Sequence, residues 1–149
     1  MRRSTTVEII SLLFVILFLY TGISKLLDYA VFKEQIGESP LLEPMAPFIA
    51  WSLPLAEIIA AILLFWQPWR RIGMYSALIL MVLFTGYVIY IMMVDETLPC
   101  SCGGIIQLLS WKGHLILNSL LTILALVGIF LLRGYGWSRT SNSKKVVVA

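Results

Sequence analysis

The sequence predicts an all-α integral membrane protein, a four-helix bundle with both termini in the cytoplasm, on three observations. Of 149 residues, 60% are hydrophobic and only 13% are charged, which is too little polar surface for a water-soluble globule. The apolar residues gather into four runs, at about 7–27, 48–66, 72–94 and 114–132, each close to the ~20 residues a helix needs to cross the hydrocarbon core. Nothing in these runs alternates with a strand's period of two, and backbone in lipid must satisfy its own hydrogen bonds, so helices are expected. The third observation is the distribution of positive charge, which fixes the orientation.

The first run follows "MRRSTT". It is long for the core of a signal peptide and no small-x-small cleavage site follows it, so it reads as a retained span. Residues 28–47 come next, with "YAVFKEQI" as a short amphipathic stretch suited to the membrane surface and Pro40, Pro44 and Pro47 breaking any longer helix. The second run carries Pro54 and Glu57, and "QPWRR" turns the chain into the third. Residues 95–113 hold "LPCSCGGI", and the fourth run opens at His114. Residues 1–133 thus form one membrane domain, and 134–149, ending in "SRTSNSKKVVVA", are expected as a mobile cytoplasmic tail.

Orientation follows from lysine and arginine. Arg2, Arg3, Arg70, Arg71, Arg133, Arg139, Lys144 and Lys145 fall on one side, and only Lys25, Lys33 and Lys112 on the other. In short loops such an excess marks the cytoplasmic face. The net charge of +3 is therefore a topology signal and not an argument for nucleic acid. Trp66, Trp69, Tyr135 and Trp137 suit the inner interface, and Trp51 and Trp111 the outer one. The two longer outer segments are acidic, through Asp28, Glu34, Glu38, Glu43, Asp95 and Glu96.

Both cysteines, Cys100 and Cys102, consequently face the periplasm of a bacterial inner membrane, where thiols are oxidised and disulfides persist. A bridge between residues two apart meets the required geometry only with a distorted backbone. Strained disulfides are the labile or catalytic ones. Such a small ring also removes almost no chain entropy, which argues against a stabilising staple. Gly103 and Gly104 allow close approach by a partner chain. Three readings stay open on the residues alone: a redox pair, a soft-metal clip, and incidental loop thiols. With no cysteine in a span or on the inner face, electrons cannot cross the membrane by thiol relay within this chain. A redox partner must therefore be a soluble thioredoxin-like protein or a lipid-soluble quinone.

Several polar residues are candidates for proton transfer or quinone binding. His114 is the sole histidine and a proton donor near neutral pH, or else a polar residue at the water–lipid boundary. Asn118 lies one turn deeper on the same face, and Trp111 precedes both. Glu57 sits roughly 15 Å into the second span, near the midplane, where a charge is costly and faces a partner or a pathway. Its plainer reading is a protonated acid hydrogen-bonded between helices, which would tolerate glutamine. Lys25 can snorkel outward and, with Asp28, is expected to anchor the end of the first span.

Three stretches, "YTGISKLLDYAVF", "LPLAEIIAAILL" and "PCSCGGIIQLLSWKGHLILN", together with the four-span layout, resemble the MauE branch of the DoxX-like membrane proteins. These are named for methylamine utilisation and thiosulfate oxidation. The third stretch is the most specific, with its two cysteines and two glycines followed by Trp111, His114 and Asn118. The resemblance implies a small four-helix bundle associated with periplasmic redox chemistry and working beside thioredoxin-like partners. It invites comparison with disulfide-generating membrane bundles, which use two cysteine pairs where this chain has one. The expected function is thiol–disulfide exchange through Cys100 and Cys102, as an oxidoreductase with a quinone as a further candidate. His114 would serve in proton transfer, and Trp111, Asn118 and Glu57 in holding the quinone. The rivals are an assembly or structural subunit of a larger membrane complex, and a copper- or zinc-handling protein, since paired thiolates select soft metals.

Overall fold

The structure is a computed structural model describing residues 2–39, 41–94 and 111–147, with side chains described for 5–39, 41–93 and 112–133. The elements among the described residues are all helices, joined by short turns: α1 (Arg2–Leu27), α2 (Tyr29–Gly37), α3 (Ala46–Phe65), α4 (Arg70–Val94) and α5 (Trp111–Val147). Four helices are long and apolar enough to cross a membrane, over Thr5–Leu27, Glu43–Phe65, Gln67–Met93 and Lys112–Arg133. Those stretches coincide with the four apolar runs of the sequence.

The helices form a ring in which each long helix packs against its neighbours in chain order, α1 on α3, α3 on α4, α4 on α5, and α5 back on α1. Neighbours run antiparallel. Between α3 and α4 the chain reverses in one 3-10 turn, Gln67–Trp69, with Pro68 supplying a φ already suited to it. This turn end of the bundle also holds the start of α1 and the later part of α5, since a side chain on Gly128 would meet both Met74 and Ile10. The opposite end, here the loop end, carries α2, the end of α4 and the start of α5.

Helices gain little from burying apolar surface away from lipid that is itself apolar, so close packing of small residues does more of the work. Ala60 and Ala61 of α3, Ala77 of α4 and Ala125 of α5 are buried in one core with Phe14, Phe18, Leu64 and Met74. Phe14 and Phe18 stack at 5.7 Å between ring centroids. Gly73 marks the tightest approach: a Cβ there would lie 2.6 Å from the Leu64 nitrogen and 2.8 Å from the Leu63 carbonyl carbon. Both are backbone atoms and cannot swing aside. Gly73→Val is therefore expected to part α3 from α4 and cost at least the ~1–3 kcal/mol typical of overpacking. Thermal unfolding followed by tryptophan fluorescence in detergent checks this, and an unchanged midpoint would refute it.

The amphipathic stretch of the sequence forms α2. It docks by Phe32 and Ile36 onto Ala46 and Ala50 of α3, with Leu42 and Leu53 packed around them. Its charged residues Lys33 and Glu34 stay exposed. Pro44 and Pro47 act as the sequence suggests, and Pro40 lies outside the described residues. Pro44 begins the 3-10 turn Glu43–Met45, and Pro47 opens α3, where its missing N–H costs nothing. α2 thus closes the loop end over α1 and α3.

Candidate functional site

Beneath α2 lies an ion pair. Lys25 Nζ of α1 stands 2.5 Å from Glu57 Oε1 of α3, and both side chains are buried, at 7% and 1% exposure. Two features of the sequence help to place them together. Gly22, one turn before Lys25, lets α1 approach so closely that a Cβ there would lie 3.2 Å from the Pro54 carbonyl oxygen and 3.4 Å from Glu57 Cβ. Pro54 stands inside α3 and is itself buried, and having no N–H it deprives the Ala50 carbonyl of its helical donor. Lys25 then needs only its own reach to arrive at Glu57.

The ammonium has aromatic walls. Nζ lies 5.5 Å from the centre of the Phe32 ring on α2 and 5.0 Å from that of Phe84 on α4, within the range of cation–π attraction. Four helices therefore meet at Lys25. Thr21 gives its hydroxyl proton to the Leu17 carbonyl at 3.0 Å. The second carboxylate oxygen, Oε2, is buried with no hydrogen-bond partner among the described residues.

The expectation that Lys25 snorkels outward and anchors the span with Asp28 is corrected here. Side chains on a helix tilt toward its N-terminus, so a lysine near the C-terminal end of α1 is aimed back into the bundle, away from the loop end. Asp28 lies outside the pair, as an exposed residue preceding α2. Glu57 does face a partner, and that partner is a base. The signal available in the sequence was the presence of one acid and one base in neighbouring spans.

The other candidate residues are distributed as follows. Cys100 and Cys102 lie outside the described residues. Trp111 is the first residue of α5, and nothing is described of its side chain. His114, in the first turn of α5, is buried at 3% exposure. Asn118 is half-buried one turn further on, and its backbone carbonyl accepts the Thr122 hydroxyl at 2.7 Å. His114 and Asn118 both belong to α5, whereas Glu57 belongs to the α1–α3 pair.

Four apolar spans closed into a ring, with a buried ion pair joining two of them, define a small multi-pass helical membrane protein. Residues 3–131 match the family model described as methylamine utilisation protein MauE. The chain belongs to the MauE family, membrane proteins linked to methylamine utilisation. No curated protein and no solved structure matches it.

Proposed function

We propose that this protein is a thiol–disulfide redox protein of the bacterial inner membrane. In this reading Cys100 and Cys102, on the periplasmic side, exchange electrons with a thioredoxin-like protein. One observation carries it: the only two cysteines stand two residues apart, within the family match, in the segment that joins α4 to α5. The end of α4 and the start of α5 lie opposite the arginine-bearing α3–α4 turn, and the positive-inside rule assigns that turn to the cytoplasm.

The exchange is a two-electron step. A thiolate of the partner attacks one sulfur of the Cys100–Cys102 disulfide, forming a mixed disulfide and releasing the other sulfur as a thiolate. The partner's second thiolate then attacks the mixed bond. The partner leaves as a disulfide, and Cys100 and Cys102 hold two electrons and, once protonated, two protons. The reverse sequence reduces the partner. A quinone, when bound, accepts two electrons and two protons and so returns the pair to the disulfide. His114 suits the delivery or removal of a proton near neutral pH, and Asn118, on the same face, suits its orientation.

The test is a trapping experiment in cells. Cys102→Ala leaves Cys100 unable to be resolved internally, and Cys100→Ala does the same for Cys102. One of the two variants is expected to accumulate a mixed disulfide with a periplasmic protein, visible on a non-reducing gel and lost on reduction. Absence of a trapped protein in both, with stoichiometric copper in the purified chain, would replace the redox reading by metal handling. Absence of both adduct and metal would favour an assembly subunit of a larger membrane complex.

A further inference from the structure

The Lys25–Glu57 pair leaves most of its hydrogen-bonding capacity unused. An ammonium carries three donors and an ionised carboxylate two acceptor oxygens, yet the salt bridge joins only Nζ and Oε1. Oε2 is buried without a hydrogen-bond partner among the described residues. Two further sides of Nζ face the rings of Phe32 and Phe84, which attract a cation but are poor substitutes for an oxygen acceptor. A pair whose only role was to join helices would be matched or bettered by apolar side chains of the same volume. An ionisable residue at this depth is by default a candidate functional site.

The unused groups are of opposite kind and adjacent, a donor on Lys25 and an acceptor on Glu57. They complement a molecule that accepts one hydrogen bond and gives another through oxygen. The Phe32 and Phe84 rings offer flat apolar sides to such a molecule, and the surrounding medium admits only what dissolves in lipid. We infer that Lys25 and Glu57, with Phe32 and Phe84, form a binding site for the head group of a lipid-soluble quinone. Lys25 donates to the carbonyl oxygen of the oxidised ring, and Glu57 Oε2 accepts from the hydroxyl of the reduced one. Both redox forms are thereby held by the same two residues. This assignment keeps Glu57 in the quinone site but joins it to Lys25, Phe32 and Phe84 of α1, α2 and α4 in place of Trp111 and Asn118 of α5. Its use in electron transfer rests on the redox reading above, whereas binding is independent of the cysteines.

The test uses the full chain in lipid nanodiscs and a photoreactive azido-benzoquinone with a short isoprenoid tail. Illumination is expected to label peptides of α1, α2, α3 or α4, and excess unlabelled quinone to suppress the labelling. Lys25→Met/Glu57→Leu removes both charges without stranding either. Its labelling is expected to fall by about tenfold or more, the loss of at least one charge-assisted hydrogen bond. Circular dichroism and thermal unfolding establish that the variant is folded. Should it not fold, Phe84→Leu supplies the check, with weaker labelling expected from loss of the flat ring. Undiminished labelling in a folded double variant, or in Phe84→Leu, would overturn the site. So would wild-type labelling no greater than that of an unrelated four-span protein, the result for a site that holds only water. Cys100→Ser/Cys102→Ser is expected to label like the wild type. Labelling retained while no partner is ever trapped would sink the thiol exchange and leave the quinone site standing.

Discussion

Glu57→Gln is expected to destabilise the bundle by roughly 3–5 kcal/mol, the cost of breaking a buried ion pair from one side. Glutamine keeps the shape of the acid but not its charge, so the Lys25 ammonium is left uncompensated between Phe32 and Phe84. Lys25→Met is expected to do comparable damage by stranding the carboxylate. Lys25→Met/Glu57→Leu removes both ions and should recover most of the loss, because apolar replacements for a buried pair are often neutral or stabilising. The coupling energy from this double-mutant cycle, measured by denaturant unfolding in detergent, is expected to be large. A Glu57→Gln protein as stable as the wild type would show that the pair is not a single unit. The sequence alone supports the opposite expectation, since a neutral acid between helices would tolerate glutamine. Knowledge of the partner reverses it.

The second large effect concerns function without stability. Cys100→Ser/Cys102→Ser is expected to abolish exchange with the periplasmic partner while leaving thermal unfolding unchanged. A bridge across two residues closes too small a loop to restrict the unfolded chain appreciably. In cells dependent on this protein, growth on methylamine should fail while the protein accumulates in the membrane at its normal level. Normal growth would count against redox-active cysteines. Failure to accumulate would point instead to a structural part for the segment.

The spans were legible in the sequence because hydropathy and length are local properties, and 20 or so apolar residues have few alternatives in lipid. The docking of α2 was half legible. Its amphipathic pattern revealed a buried face, but the surface it meets belongs to α3, through Ala46 and Ala50. Lys25 was misread because its nearness to the end of a span suggested solvent. Its direction depends on the tilt of side chains along a helix and on how α1 is rotated against α3. Glu57 announced itself by depth, yet its partner lies 32 residues away. The close approach at Gly22 helps to bring the two together. Histidine at a span's edge is equally ambiguous, and it was the packing of α5 that decided for burial of His114.

The most direct measurement is the thiol state of Cys100 and Cys102 in intact cells. Free thiols are blocked with a membrane-impermeant maleimide, the protein is reduced and labelled with a second reagent, and both positions are quantified by mass spectrometry. If the pair cycles outside the cytoplasm, a fraction of the protein carries a Cys100–Cys102 disulfide. Mild reduction of the cells then makes both thiols reactive to the impermeant reagent without lysis. Two thiols that stay reduced in oxidising medium and react only after the cells are broken would contradict both the compartment and the chemistry.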